Sequence, residues 1–162
     1  MAHSLTVNPI VLLLIFLAGI LTGLRSLTPP AVTAWGARLG WFKLSPGLNW
    51  LGTTPAAVIF ALLAAGEIIN DKLPKTPPRT APVGLIARIV TSGLTGACLA
   101  SASGIGIAMG IIVAIIGALA GTFGGYQART RLVKALGAPD YVVAIVEDLI
   151  AVVGSVLVVS RF

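Results

Sequence analysis

Four charged side chains lie inside long apolar segments of this sequence: Glu67, Arg88, Glu147 and Asp148. In a lipid-embedded helix such a residue costs about 2.5–3.5 kcal/mol on insertion scales, so it is retained when it is paired or functional. With a rise of about 1.5 Å per residue, the four lie roughly 6–11 Å from one side of the predicted bundle. The spacing predicts that three helices bring acid and base together at a common depth.

Two interpretations of this predicted cluster stay open. In the first, a polar cavity binds a cation, a proton or a polar headgroup, and a carboxylate in excess over the bases has a pKa raised by burial and like charge. In the second, Arg88 pairs with Glu147 or Glu67 and ties the helices together. The candidate binding or translocation residues are Arg25, Glu67, Asp71, Lys72, Arg88, Glu147 and Asp148.

Three of these candidates lie at the edges of apolar segments. Asp71 and Lys72 flank the predicted cluster, because they follow the segment that carries Glu67. Arg25 closes the first apolar segment, at the end opposite to the cluster if that segment crosses the membrane once. There it either snorkels to the surface or acts at the other face of the membrane.

An enzyme is the least favoured of three function classes, after a transporter or binding protein and a membrane scaffold. The only histidine, His3, stands at the start of the chain, so a serine or cysteine nucleophile has no obvious base. The single cysteine, Cys98, cannot supply a zinc set, and no Walker A lysine loop is present. The sequence predicts no metal and no cofactor.

The composition sets the environment in which these residues act. Hydrophobic residues make up 57% of the 162-residue chain, charged residues 10%, and the mean hydropathy is +1.02. Soluble domains carry about 25% charged residues, so lipid is the expected surrounding of this single domain. The net charge of +6 is spread over short segments between apolar runs, which favours contact with lipid headgroups over nucleic acid.

The hydrophobic pattern predicts an all-α, polytopic transmembrane bundle with about five spans. A segment at about 30–52, rich in Trp, Gly and Pro, is predicted to lie in the membrane interface. The predicted spans are about 10–26, 54–71, 83–101, 104–126 and 141–160.

Glycines at helical spacing predict where the helices pack closely. Small residues four apart let two backbones approach each other in a membrane. These glycines, in the first and fourth predicted spans, are Gly19, Gly23, Gly110, Gly117, Gly121 and Gly125. Seams of this kind, left exposed on the bundle, would also favour a homodimer.

The order of several short motifs resembles a bacterial family of small membrane proteins known as DUF4126, a domain of unknown function. The matching marks are Gly23-Leu24-Arg25, Glu67 with Asp71-Lys72, Arg88, and Glu147-Asp148 after Pro139. The resemblance implies an integral membrane protein, with no settled activity, in a bacterial cytoplasmic membrane.

Five spans would place the two termini on opposite sides. Six basic residues then fall on the N-terminal side and four on the other, which favours N-in, C-out under the positive-inside rule. The six are Lys72, Lys75, Arg79, Arg129, Arg131 and Lys134, and the four are Arg25, Arg38, Lys43 and Arg161.

Overall fold

A computed structural model describes residues 8–72, 80–137 and 139–162, and every regular element in these ranges is helical. The predicted all-α class is confirmed. One 3-10 turn, Asn49–Gly52, precedes the third helix. The helices are α1 (Pro9–Leu24), α2 (Thr28–Arg38), α3 (Thr54–Asn70), α4 (Pro82–Ala102), α5 (Ile107–Leu136) and α6 (Asp140–Val159).

The helix ends follow local chemistry in the sequence. The side chain of Asn8 accepts a hydrogen bond from the N–H of Ile10 at 3.0 Å, and Pro9 occupies the first turn, where no N–H is needed. The hydroxyl of Thr53 caps α3 in the same way. Gly137, with φ of 59°, ends α5 in the left-handed conformation that glycine adopts readily.

Three helices, α4, α5 and α6, are long and apolar enough to cross a membrane. Two shorter apolar helices, α1 and α3, accompany them. This is the composition of a helical membrane bundle. Large apolar side chains such as Leu62, Val83 and Leu149 are exposed on its outside, as expected where lipid is the solvent.

Helices α1 and α5 run parallel and touch backbone to backbone. A Cβ on Gly121 would overlap the carbonyl oxygen of Ile20, and one on Gly117 would overlap that of Phe16. On the other side of the seam, a Cβ on Gly23 would strike α5 at Ala118. Contacts this close require glycine.

The same face of α5 begins as a hairpin with α4, where Gly110 meets Gly96 and Ala100. Gly19 packs on the backbone of Ala114, and Gly125 is half-buried further along α5. Most of the predicted packing glycines are thus buried between helices of one chain. A homodimer stays a prediction, but it loses the exposed seams on which it was based.

The segment predicted to lie in the membrane interface, about 30–52, begins in a helix that is packed against the bundle. Helix α2 occupies Thr28–Arg38, and its Pro29, Pro30 and Ala34 are buried against the bundle. The two prolines start this helix because its first turn needs no N–H from them. Trp41 and Trp50, in the connection that follows, are exposed.

Helix α5 extends about ten residues beyond the predicted 104–126 span. Its last turns contain Arg129, Arg131 and Lys134, which lie beyond the predicted span. Polar residues with good helix propensity continue the helix, so the end of the apolar run is not the end of the helix.

The expected N-in, C-out arrangement does not fit the packing. Arg25 at the end of α1 meets Asp148 early in α6, whereas Leu21, one turn back in α1, meets Gly154, later in α6. Helices α1 and α6 are therefore antiparallel, and α1 begins on the side of the bundle on which α6 ends. Lys75 and Arg79, used in the charge count, lie outside the described residues.

We expect reporter fusions to place both termini on the same side of the membrane. An alkaline phosphatase and a fluorescent protein would each be fused at residue 8 and after Phe162, and their activities compared. The matched control is a fusion in the 103–106 turn between α4 and α5, which should report the same side as the termini. Termini on opposite sides would contradict the antiparallel packing of α1 and α6.

The α1–α5 seam predicts opposite effects for two alanine substitutions on one helix. Gly121→Ala should lower stability by about 1–3 kcal/mol, because the new methyl forces two backbones apart. Gly124→Ala meets nothing within 4 Å and should be neutral or stabilising, since alanine favours a helix. Thermal unfolding in detergent measures both, and equal effects would mean that the seam does not limit stability.

Candidate functional site

The turn between α1 and α2, residues 25–27, which we call the corner, is buried inside the bundle. Arg25 is 1% exposed and Ser26 is also buried. Irregular backbone in such a place has no water to bond, so its N–H and C=O groups need partners from the protein. Charged side chains from two other helices supply them.

Glu67, near the end of α3, holds the backbone N–H groups of the corner. Its Oε1 accepts from the N–H and the hydroxyl of Ser26, at 2.8 and 2.7 Å, and its Oε2 accepts from the N–H of Leu27 at 2.8 Å. A carboxylate is favoured at this position because the N-terminus of α2 carries a partial positive charge. The predicted binding residue Glu67 therefore has a structural task.

Arg88, one and a half turns into α4, caps the other side of the corner. Its Nε donates to the carbonyl of Gly23 at 3.0 Å, and its Nη1 donates to the carbonyl of Gly84 at 2.9 Å. The last carbonyls of α1 have no partner within the helix, and a cation suits their partial negative charge. Of the two partners predicted for Arg88, Glu147 and Glu67, the second is held by the corner instead.

Arg25 points away from the backbone of the corner and joins α3 to α6. Its Nη2 donates to Asp71 Oδ2 at 2.7 Å. Its Nε lies 2.6 Å from Asp148 Oδ1, a contact with the distance of an ion pair but without the alignment of a hydrogen bond. One guanidinium thus links three helices, at the ends of α1 and α3 and in the first half of α6.

Arg129 of α5 makes a second bridge. Its Nη1 lies 2.8 Å from Asp71 Oδ2 and 3.4 Å from Glu147 Oε2, and its other nitrogens hold both oxygens of Asp140, at 2.9 and 2.6 Å. Lys72 completes the set, with its Nζ 2.6 Å from Asp148 Oδ2. We call these residues the charged cluster: Arg25, Asp71, Lys72, Arg129, Asp140, Glu147 and Asp148.

Asp71 lies at the centre of the charged cluster. Burial raises the pKa of its carboxyl, but the hydrogen bonds from Arg25 and Arg129 outweigh this, so the pKa lies below its usual value. The stabilisation from these pairs is therefore complete above the unfolded pKa, about 3.9, and is lost as pH falls through the lower folded value.

The prediction that Arg25 acts at the opposite face is wrong. It followed from treating the segment after α1 as interfacial. Because α2 passes back into the bundle, α1 and α3 end on the same side, and Arg25 reaches Asp71 at the end of α3.

Arg129 and Asp140 were not among the predicted site residues. A signal for Arg129 existed, since it continues the series Gly117, Gly121 and Gly125 at steps of four on one face of α5. Asp140 likewise precedes Glu147 by two helical turns on α6. Both were missed because the helices were ended at the last apolar residue.

Exposure falls steeply across the charged cluster. The side chain of Asp140 is 62% exposed, that of Lys72 31%, and that of Arg25 1%.

All five carboxylates of the chain lie in the charged cluster or on the corner. Each has a cation or an N–H donor, so the expectation of an unpaired carboxylate is not met. No group of three or more His, Cys, Asp and Glu side chains in the described ranges is placed to hold a metal ion.

A model of the family described as domain of unknown function DUF4126 matches residues 12–160. The chain belongs to the DUF4126 family. The match runs from the first turn of α1 to the end of α6, so in this DUF4126 protein the corner and the charged cluster both lie inside the family's domain. No curated protein and no solved structure matches the chain significantly.

Two glutamine substitutions, one in the last turn of α3 and one just after that helix, should distinguish the corner from the charged cluster. Glu67→Gln places an amide N–H₂ beside the N–H of Leu27 or Ser26, leaving a donor unsatisfied at about 1–3 kcal/mol. Lys72→Gln should lower the stability by less than about 1 kcal/mol, because Lys72 is partly exposed and Asp148 keeps its ion pair with Arg25. Thermal unfolding in detergent compares the two, and an equal loss would refute the assignment of Glu67 to the corner.

Proposed function

We propose that this DUF4126 protein binds and translocates a small polar solute, an ion or proton, or a lipid headgroup at the charged cluster. The observation that carries the proposal is the way α3 is held. One end of α3 is packed into the bundle by apolar contacts, whereas its other end is attached to α1, α5 and α6 through ion pairs and to the corner through the hydrogen bonds of Glu67.

The first half of α3 is anchored by apolar contacts. Ala57 is buried in a small core with Ala34 of α2, Leu51 of the 3-10 turn and Cys98 of α4. The second half lies across an open groove from α6, into which Ala61, Ala64 and Ile68 face. A helix anchored by apolar contacts at one end and by polar contacts at the other is suited to pivot, so the ion pairs of Asp71 and Lys72, together with the Glu67 hydrogen bonds, would act as a latch.

The energetic cost of the charged cluster supports a role beyond packing. Replacing a buried ion pair by apolar side chains is often neutral or stabilising, so such a network is weak evidence of a stabilising device. Here the α1–α5 seam already joins helices by close backbone contact. Charged residues inside a membrane bundle are typically retained for substrate or ion pathways.

The exposure gradient supplies an entry route in this proposal. Asp140 faces the surroundings, and the series through Lys72 ends at the buried Arg25. A solute that pairs with one member of the charged cluster would displace an existing ion pair and release the latch.

The end of the bundle that carries the charged cluster, which we call the charged end, should face the cytoplasm of a bacterial inner membrane. Both termini should then lie outside. Basic residues are concentrated in cytoplasmic segments. Six described basic residues lie toward the charged end and three toward the other, namely Arg25, Lys72, Arg88, Arg129, Arg131 and Lys134 against Arg38, Lys43 and Arg161.

Ligand-dependent stabilisation tests the binding step. Purified protein would be screened in detergent for a rise in unfolding temperature with inorganic ions, amino acids, sugars and water-soluble phosphodiesters. A ligand at 100 times its Kd stabilises by about 2.7 kcal/mol. The shift should shrink in Lys72→Gln and stay in the control Lys134→Gln, whose side chain is exposed on the last turn of α5.

Spin labels at Ile69→Cys and Leu149→Cys, in a Cys98→Ala background, test the latch. Both positions are exposed, on α3 and α6. Lys72→Gln or the ligand found in the screen should lengthen or broaden the distance between the labels. If no solute stabilises the protein and the distance is unchanged, the charges serve only to hold the bundle, and the scaffold interpretation is correct.

A further inference from the structure

The groove between α2, α3 and α6 is a feature that the charged cluster does not explain. It has a volume of about 350 Å³ and an almost entirely apolar wall. This is within the roughly 300–1,000 Å³ of small-molecule sites. The space exists because α3 presents Ala61, Ala64 and Ala65 where larger side chains would close the gap to Val152 and Val156 of α6.

One end of the groove carries polar groups that are not fully used. Thr28 forms part of the wall and is 3% exposed, yet its hydroxyl has no hydrogen-bond partner. A buried hydroxyl without a partner is rare, and an absent ligand is one physical reason for it. At the same end, the carbonyl of Ile68, also on the wall, accepts from Lys72 Nζ at 3.0 Å.

Lys72 retains binding capacity after its contacts within the chain. An ammonium has three N–H donors, and those of Lys72 serve Ile68 and Asp148. The third donor and the 31% exposure of the side chain leave room for an oxygen from outside. A cation with a free donor lies next to the end of an apolar groove.

We propose that this groove holds one acyl chain of a membrane phospholipid, with the lipid phosphate on Lys72 and an ester carbonyl at the Thr28 hydroxyl. Both polar groups lie at the charged end, where the helices α1 and α3 stop and lipid headgroups begin. From Thr28 to Trp35, seven residues along α2, the wall runs about 10 Å, enough for the upper half of an acyl chain.

A phospholipid fits better than other occupants because the groove opens to the surface that lipid covers. Exposed apolar side chains flank it on α3 and α6, among them Leu62 and Val153. The apolar wall, the Thr28 hydroxyl and the Lys72 ammonium match the acyl chain, the ester and the phosphate of a single phospholipid molecule. The phosphate contact at Lys72 belongs to the charged cluster and rests on the proposed function, whereas the apolar groove and Thr28 lie outside the cluster and would bind the chain in a protein that moves no solute.

Tryptophan fluorescence tests the proposal, because Trp35 and Trp41 line the groove and Trp50 does not. A phosphatidylglycerol with brominated acyl chains would be titrated into protein in detergent. Quenching should saturate at one lipid per protein in a Trp50→Phe variant. In a variant with Trp50 alone it should rise without saturation, and native mass spectrometry should retain one phospholipid on the wild type.

Variants at the wall and at the polar end test each part of the site. Ala64→Leu, and Ala61→Leu as a second filling variant, should abolish saturable quenching and the retained lipid. Thr28→Val should weaken binding about threefold to tenfold, the worth of one hydrogen bond, without lowering the unfolding temperature. Thr33→Val is the matched control on α2: its hydroxyl donates to Pro29, so it should lose stability and keep the lipid.

The headgroup is tested with brominated diacylglycerol, which has the same chains and no phosphate. It should bind about tenfold more weakly than the phospholipid, and Lys72→Gln should remove the difference. Equal binding of the two lipids would overturn the phosphate contact.

Quenching that does not saturate and is unaffected by folded Ala64→Leu or Ala61→Leu would overturn the site. A dimer that shields Trp35 from lipid would assign the groove to a second copy of the chain, and this result would also overturn the lipid site.

Discussion

The buried corner between α1 and α2 is the constraint on which the other features of this DUF4126 protein depend. Once the chain turns inside the bundle, its backbone groups cannot be satisfied by water. Glu67 and Arg88 are placed where that turn needs an acceptor and a donor. The position of α3 and α4 around α1 is therefore fixed by hydrogen bonds to one short stretch of backbone, and the charged cluster forms around the side chain of Arg25 in that stretch.

Two kinds of contact divide the bundle. Between α1, α4 and α5 the glycines permit backbone contact, which leaves almost no freedom to shift without losing the fit. Around α3 the wall is made of alanines and the attachment is polar, so separation costs the breaking of the Glu67 hydrogen bonds and of partly hydrated ion pairs. One half of the bundle is therefore rigid, and α3 in the other half is attached to it more weakly. In such an arrangement small solutes and lipids can bias a conformational equilibrium.

Much of the fold could be predicted because apolar periodicity and proline and glycine positions act locally. The helices and the faces carrying Gly19, Gly117 and Gly121 followed from spacing alone. The corner could not be predicted in this way, because the group that binds its backbone inside the bundle is Glu67, some forty residues away in sequence. That one error reversed the side assigned, relative to Glu67, to Arg25 and to the start of α1. Arg129 and Asp140 were missed because apolar content says nothing about where a polar helix continues.

The separation along the chain between α1 and its partners has a consequence for biosynthesis. The corner meets Glu67 41 residues later and α5 99 residues later, counted from Ser26 and Gly23. While the ribosome makes the intervening segments, α1 is a 16-residue apolar helix with an uncompensated guanidinium at its end. It is short for a stable crossing, which takes about 20 residues. Retention of α1 beside the translocation machinery until α5 emerges would then be a condition for correct assembly.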